Sequence, residues 1–390
     1  MKALKLLGCA LGLTVAGGSF AQQPIKIGFV AEMSGTQAEY GLQITNGAKL
    51  YIKEHGDVVA GRKIELVIKD VGGANPEVAK RVATELLTRD KVDFLAGFGF
   101  TPNALAVAPL ATQAKVPMVV MNAATSVITE RSPFIVRTSM TLPQNAYAIA
   151  DWALKNNIKT VYSLYADYGP GQDANKQFRE TFTQGGGKIL NEVAVPLKNP
   201  EFGPYMQRIR DAKPDAAFLW FPSGELSAML LRSFKERGLD QAGIRAIGTG
   251  DATDDMFLDS MGDAAEGMVN SFHYSDAHDS DKNRAYVKGY QEMFGTSIRP
   301  NFMSVGGYDG MHAIYQAIKA LDGKLGDGAK AVEAMKGLKW ESPRGPISID
   351  PETRDIIQDI YIRKVEKRGN HLVNAEFDKI PAVKDPGKAK

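Results

Sequence analysis

Between Ile25 and Met121 short apolar runs alternate with stretches whose apolar residues recur at helical spacing. Ile25–Val30, Ile64–Lys69, Val92–Gly97 and Pro117–Met121 predict strands, and Gln43–His55, Glu77–Thr88 and Asn103–Gln113 predict helices. Runs of β-branched residues separated by helices indicate parallel βαβ units whose sheet is covered on both faces. The rhythm resumes after residue 140. Helices are predicted over 144–155, 171–184, 202–211 and 224–237, and strands over 160–164, 189–195, 216–221 and 245–248. Three more helices follow, over 284–294, 304–321 and 329–335. Strands over 345–350 and 356–365 then surround Pro351, an antiparallel pattern.

The late helices need a sheet to cover, and the first unit has fewer helices than its strands require. A chain that returns to the first unit after residue 273, and leaves it near 351, resolves both. The expected fold is α/β, with two doubly wound lobes joined by a three-crossover hinge and a ligand cleft between them. Residues 24–141 with 274–350 form the first lobe, and 142–273 with 351–390 the second.

The chain has 390 residues, enough for more than one core. With 44% hydrophobic and 24% charged residues, a disordered chain or a multi-span membrane protein is excluded. Lys plus Arg is 47 and Asp plus Glu 45, so no global field attracts nucleic acid or anionic lipid. The single Cys excludes an intrachain disulfide framework and a Cys-built metal cage.

Residues 1–21 begin with Lys2 and Lys5, run apolar from Leu6 to about Val15 and end Ser19-Phe20-Ala21. That is the pattern of a cleavable secretory signal peptide. Leu6-Leu7-Gly8-Cys9 faintly resembles a lipoprotein box, but a cut there leaves almost no apolar region upstream. Cys9 leaves with the signal, and a thiol-free mature chain suits an oxidising, periplasmic space.

Catalytic and cofactor motifs do not assemble. Gly97-Phe98-Gly99-Phe100-Thr101-Pro102 has Pro where a dinucleotide fingerprint needs its third Gly. Gly185-Gly186-Gly187-Lys188 lacks the remaining residues of a phosphate loop. Asp279-x-Asp281-x-Asn283 starts like a calcium loop, but Arg284 and Tyr290 stand where Gly and Glu are required. It reads as a charged crossover loop, with His273 and His278 beside it. No cofactor, metal or catalytic set is expected.

What remains is a set of small, hydroxyl-rich turns between strands and helices: Gly97–Thr101, Met121–Ser126, Ala166–Gly171 and Gly248–Thr253. In doubly wound sheets ligands bind outside the carboxyl ends of the strands. A helix N-terminus with a free hydroxyl suits a carboxylate. Each turn alone reads more readily as an ordinary helix cap; four, two per unit, point to a shared cleft.

At these residues the chain resembles the periplasmic substrate-binding proteins of branched-chain amino acid ABC importers, the leucine/isoleucine/valine-binding family. The matching stretches are Ile25-Lys26-Ile27-Gly28 with Ser34-Gly35 and Tyr40-Gly41, then Leu66–Asp70 and Ala79–Leu86. Gly262-Asp263-Ala264-Ala265-Glu266-Gly267-Met268 and Gly345-Pro346 complete the set. The resemblance implies a type I periplasmic binding fold, capture by lobe closure and transient delivery to an inner-membrane permease, without catalysis. It implies that Thr101 and the turn Ala123, Ala124, Thr125 hold a ligand carboxylate. Tyr168 and Tyr40 would line the cleft, with Phe100, Phe221 and Tyr308 as weaker lining residues. Asp251 stands where amino-acid binders place a partner for the α-ammonium. Phe100-Thr101-Pro102 replaces a Ser-rich loop, and Asp251 lacks the Gly that usually follows it. An aromatic or other organic acid is therefore the alternative to an amino acid. A periplasmic enzyme using Asp251 or Asp254, and a sensory module presenting its ligand to a membrane receptor, are the competing classes.

Overall fold

The computed structural model describes residues 23–388, so the signal expected over 1–21 lies outside the described range. The first sheet has β1 (Ile25–Ala31) between β3 (Arg62–Asp70) and β4 (Phe94–Gly97), continued by β5 (Met118–Val120) and β6 (Ile135–Arg137). These five run parallel, and the two-residue β2 (Val58–Val59) pairs antiparallel with β3. β4 is buried at every position and β1 nearly so, which is why both read as unbroken apolar runs. Helices α1 (Ala38–His55), α2 (Pro76–Glu85) and α3 (Thr101–Ala114) pack on this sheet.

The second sheet holds β7 (Thr160–Ala166), β8 (Lys188–Val195), β9 (Ala216–Trp220), β10 (Arg245–Thr249) and β11 (Val269–Phe272). They are parallel, in the order β8-β7-β9-β10-β11. Its helices are α4 (Leu142–Lys155), α5 (Gly169–Gln184), α6 (Gly203–Ala212), α7 (Glu225–Glu236) and the one-turn α8 (Leu258–Met261). The antiparallel addition is larger than its sequence suggests. It comprises β12 (Lys339–Ser342), β13 (Gly345–Ile349), β14 (Ile356–Arg368) and β15 (His371–Val383), with β14 pairing to β11, β13 and β15.

Helices α9 (Asp281–Phe294), α10 (Phe302–Ala320) and α11 (Gly328–Met335) return to the first unit. There α10 lies directly on α1. A Cβ on Gly47 would fall 1.8 Å from the Ser304 carbonyl oxygen, and one on Gly307 2.1 Å from that of Ile44, so only glycine allows the approach. The sequence reading keeps 274–350 in the first unit. The hydrogen-bond register differs: β13 pairs Ile347, Ser348 and Ile349 with Gln358, Ile357 and Ile356, so β12 and β13 belong to the second sheet. The third crossing therefore falls before Lys339 rather than at 351.

Buried charge ties the crossings together. Arg344 pairs with Asp309 of α10 at 2.9 Å, donates to the Ser139 carbonyl at 2.8 Å and to Gln358 Oε1 at 2.9 Å. Arg137 pairs with Asp355 at 2.9 Å, again with both side chains buried. Removing either partner would strand a charge away from water.

Candidate functional site

The carboxyl ends of β4, β5, β9 and β10 open on a closed slot between the two units. Its empty space, part of it open to solvent, is about 320 Å³. The cavity proper is only about 20 Å³, so it is a narrow slot rather than a chamber. Hydrogen bonds cross the cleft outside it. Asn301 Nδ2 donates to Asp254 Oδ2 at 2.9 Å, and the Tyr40 hydroxyl to the Ser223 carbonyl at 3.4 Å.

One end is built by two helix N-termini. The turn Gly99-Phe100-Thr101 begins α3, and Phe100, at the N-cap, gives no side-chain cap bond. Thr101 is thereby free to meet Thr125, the two hydroxyls lying 3.0 Å apart. From the second unit α5 arrives with Gly169 so close that a Cβ there would sit 3.0 Å from Thr125 Oγ1 and 3.7 Å from Thr101 Cγ2. Two helix N-termini thus meet at one pair of hydroxyls, an arrangement whose chemistry suits an anion although no lysine or arginine is in its wall. Arg137 acts from behind, donating to the Thr125 carbonyl at 2.7 Å and the Met140 carbonyl at 3.1 Å.

The other end carries Asp251, on the 3₁₀ turn Gly250–Thr253 after β10. Thr249 Oγ1 donates to its Oδ2 at 2.6 Å and Trp220 Nε1 to the same oxygen at 3.3 Å. Both side-chain bonds land on Oδ2, leaving Oδ1 for a further donor. Burial pushes this carboxyl up to about 6, against the bonds from Thr249, Trp220 and its own backbone N–H that favour its charged form. Between the ends the walls are flat and apolar. Tyr40 stacks on Phe100 with ring centroids 4.6 Å apart, Tyr168 lies 5.6 Å from Trp220, and Met140, Leu142, Pro170, Pro222 and Phe302 add to the lining, with the Asn122 carboxamide as its polar exception.

Of the residues singled out in the sequence, Tyr40, Phe100, Thr101, Ala124, Tyr168 and Asp251 line the slot, and Thr125 backs Thr101. Three lie elsewhere. Ala123 is buried among the residues on the far side of the first sheet. Phe221 packs edge-on against Phe202. Tyr308 faces α1, its hydroxyl donating to Glu54 Oε2 at 2.6 Å. Trp220 was missed for a physical reason. β9 is buried on both faces, so its sequence has no alternation to say which of two adjacent aromatics faces the cleft. Met140, Leu142 and Phe302 arrive from crossovers and from the returning α10, which no local pattern announces. In the charged loop, His278 Nδ1 lies 2.8 Å from Glu376 Oε2 and Asp276 takes both ends of the Arg299 guanidinium, at 2.7 and 2.8 Å.

Comparison with known proteins agrees with this architecture. Residues 24–370 match the family model described as periplasmic binding protein. The chain is 42% identical to "Leu/Ile/Val-binding protein homolog 6" of Brucella melitensis, over 99% of each chain. It is 57% identical to the solute-binding protein of an ABC transporter from Rhodopseudomonas palustris BisB5, solved with 3,4-dihydroxybenzoic acid; the match covers 94% of this chain and 99% of that one, with a TM-score of 0.90. A second, from Rhodopseudomonas palustris HaA2 in complex with p-hydroxybenzoic acid, is 43% identical over 94% and 99% of the two chains, with a TM-score of 0.92. The chain belongs to the periplasmic binding protein family, with a two-lobed type I fold. It is a solute-binding protein of the ABC-transporter class.

Proposed function

We propose that this protein captures a hydroxylated aromatic acid of the 4-hydroxybenzoate type, closes its two lobes over it and presents it to the permease of an ABC importer, without chemistry of its own. The observation that carries the reading is the slot itself, flat and aromatic along its length, with an anion site at one end and Asp251 at the other. The ring would lie against Tyr40, Phe100, Tyr168 and Trp220. The carboxylate would meet Thr101, Thr125 and the N-termini of α3 and α5. The ring hydroxyl would donate to Asp251 Oδ1. The aromatic acids bound by the two Rhodopseudomonas palustris relatives support this ligand class over an amino acid.

An amino acid would also satisfy the two ends, its ammonium facing Asp251, but its aliphatic side chain would leave the stacked walls unused. Residues 1–21 support export by a cleavable signal, and with it a periplasmic location. Lobes that meet at crossings near residues 141, 273 and 338 support closure about a hinge. Titration calorimetry of the mature protein with 4-hydroxybenzoate, 3,4-dihydroxybenzoate and leucine tests the reading. Tight binding of the two aromatic acids is expected; tight leucine binding with no aromatic binding would overturn it.

A further inference from the structure

The anion end of the slot is backed by a carboxyl that the binding scheme does not use. Glu32 follows β1 and is wholly buried. Its Oε2 accepts the Gly99 N–H at 3.2 Å, and its Oε1 accepts from Asn103 Nδ2 at 2.8 Å. Gly99 lines the slot, and a Cβ there would fall 2.2 Å from Glu32 Oε2. Glu32 thus sits one peptide behind the wall that would receive the ligand carboxylate.

The groups facing Glu32 can be taken element by element. From α3 comes Asn103, which carries no charge, with the amides of Gly99 and Phe100 at the helix start. The loop after β3 contributes the Gly73 carbonyl, which shares the Asn103 amide, and Asp70, which accepts from the Met33 and Gly72 N–H groups at 2.9 Å each. From α1 comes the Tyr40 phenol, which feels Glu32 on one side and Asp251 and Asp254 across the cleft. None of the hydrogen bonds to Glu32 comes from a lysine or arginine. Two arginines close to the cleft serve other carboxylates: Arg137, behind the Thr125 turn, pairs with Asp355, and Arg299 with Asp276.

We propose, building on the aromatic-acid reading, that Glu32 is a positioning residue whose protonation permits the ligand carboxylate to bind, so that capture takes up a proton at this side chain. An ionised Glu32 would hold the Gly99 amide and set a negative charge behind the one wall where the ligand brings another. With no lysine or arginine in the slot wall to offset two buried anions, one must be neutralised, and the proton goes to the group that burial already disfavours as an anion. Burial alone pushes Glu32 up to about 7, so the uptake falls where the free protein has begun to lose that proton. Linkage is reciprocal: a ligand that raises the affinity for a proton binds better when the proton is present. The contribution of Glu32 to affinity is therefore flat below about pH 6 and weakens above pH 7, by at most about tenfold per pH unit, while Asp251 adds its own dependence near pH 6.

The test is calorimetry of 4-hydroxybenzoate binding at pH 6 and pH 8, each in two buffers of different ionisation enthalpy, which counts protons without a variant. The expected result is little uptake at pH 6, roughly half a proton or more at pH 8, and a several-fold weaker affinity at pH 8. Glu32→Gln retains an acceptor for the Gly99 N–H and loses the charge; it should bind at pH 8 with no uptake, and the pH dependence left in it is that of Asp251, whose carboxyl lies at about 6. Binding without uptake at pH 8, or uptake that persists in Glu32→Gln, overturns the proposal while leaving the ligand assignment intact. Failure of the wild type to bind 4-hydroxybenzoate at any pH overturns the aromatic-acid reading and this proposal with it.

Discussion

Replacing Asp251 with alanine separates the two ends of the slot. Asp251 lies against the ligand space with Oδ2 already taken by Thr249 and Trp220, so a ring hydroxyl would meet Oδ1. At neutral pH a carboxyl raised to about 6 is mostly ionised, so the bond to it is charge-assisted. Such bonds contribute about 1.5–3 kcal/mol, which is roughly 10- to 150-fold in dissociation constant. Benzoate has no hydroxyl to donate, and so reports only what the substitution does to the slot as a whole. The informative quantity is the ratio of the two affinities, in wild type and in Asp251→Ala. Calorimetry at pH 7.5 should show the preference for 4-hydroxybenzoate over benzoate falling by 10-fold or more. The substitution also strands the Trp220 N–H and the Thr249 hydroxyl, at a cost of about 1–3 kcal/mol each in stability, which a thermal melt reads separately. If both acids weaken by the same factor, Asp251 has no part in reading the ring hydroxyl.

Four further outcomes follow from the same geometry. The methyl ester of 4-hydroxybenzoate should bind at least tenfold more weakly than the acid, because a neutral ester cannot make charge-assisted bonds at Thr101, Thr125 and the two helix N-termini; equal titration curves would refute the anion site. Of the three tryptophans only Trp220 lines the slot, so an aromatic ligand should quench its emission, and Trp220→Phe should abolish most of the change. Asn301→Ala removes a bond across the cleft to Asp254, and small-angle scattering should then need more ligand to reach the compact radius that the saturated wild type shows. Without ligand, Glu32 should make folding pH-dependent. Its carboxyl keeps a proton up to about 7 in the folded chain and only to 4.5 in the unfolded one. The stabilisation is complete below 4.5 and lost as pH rises through 7, worth roughly 3 kcal/mol. Glu32→Gln should therefore gain melting temperature relative to wild type between pH 5 and pH 8; a constant difference would sink the assignment.

Much of the frame is legible in the chain because parallel strands are long apolar runs and their helices carry a clear period. Ile25–Ala31, Thr160–Ala166 and α10 lie within a few residues of where the pattern puts them. Very short elements and strands without a clean alternation are not. The three-residue β6 is too short to show a period, and the partly exposed β15 alternates irregularly, so neither gives a signal of its own and neighbouring strands hold them in place. The same limit explains the misplaced third crossing. Gly345–Ile349 looks like a strand in either unit, and only its pairing with Ile356, Ile357 and Gln358 assigns it.

The sequence by itself determined the two α/β units, the hydroxyl-rich turns at their strand ends and the family, because these depend on local periodicity and on short motifs. It also brought Tyr40, Phe100, Thr101, Ala124, Tyr168 and Asp251 into view. Only the tertiary structure decided that the slot is narrow and aromatic, that Trp220 rather than Phe221 faces it, and that Tyr308 turns away to Glu54. It alone put Glu32 behind Gly99, two residues 67 positions apart in the chain. The physical reason is that side-chain direction and charge environment are set by what packs alongside, and in this fold the partners come from the opposite lobe or from a distant return of the chain.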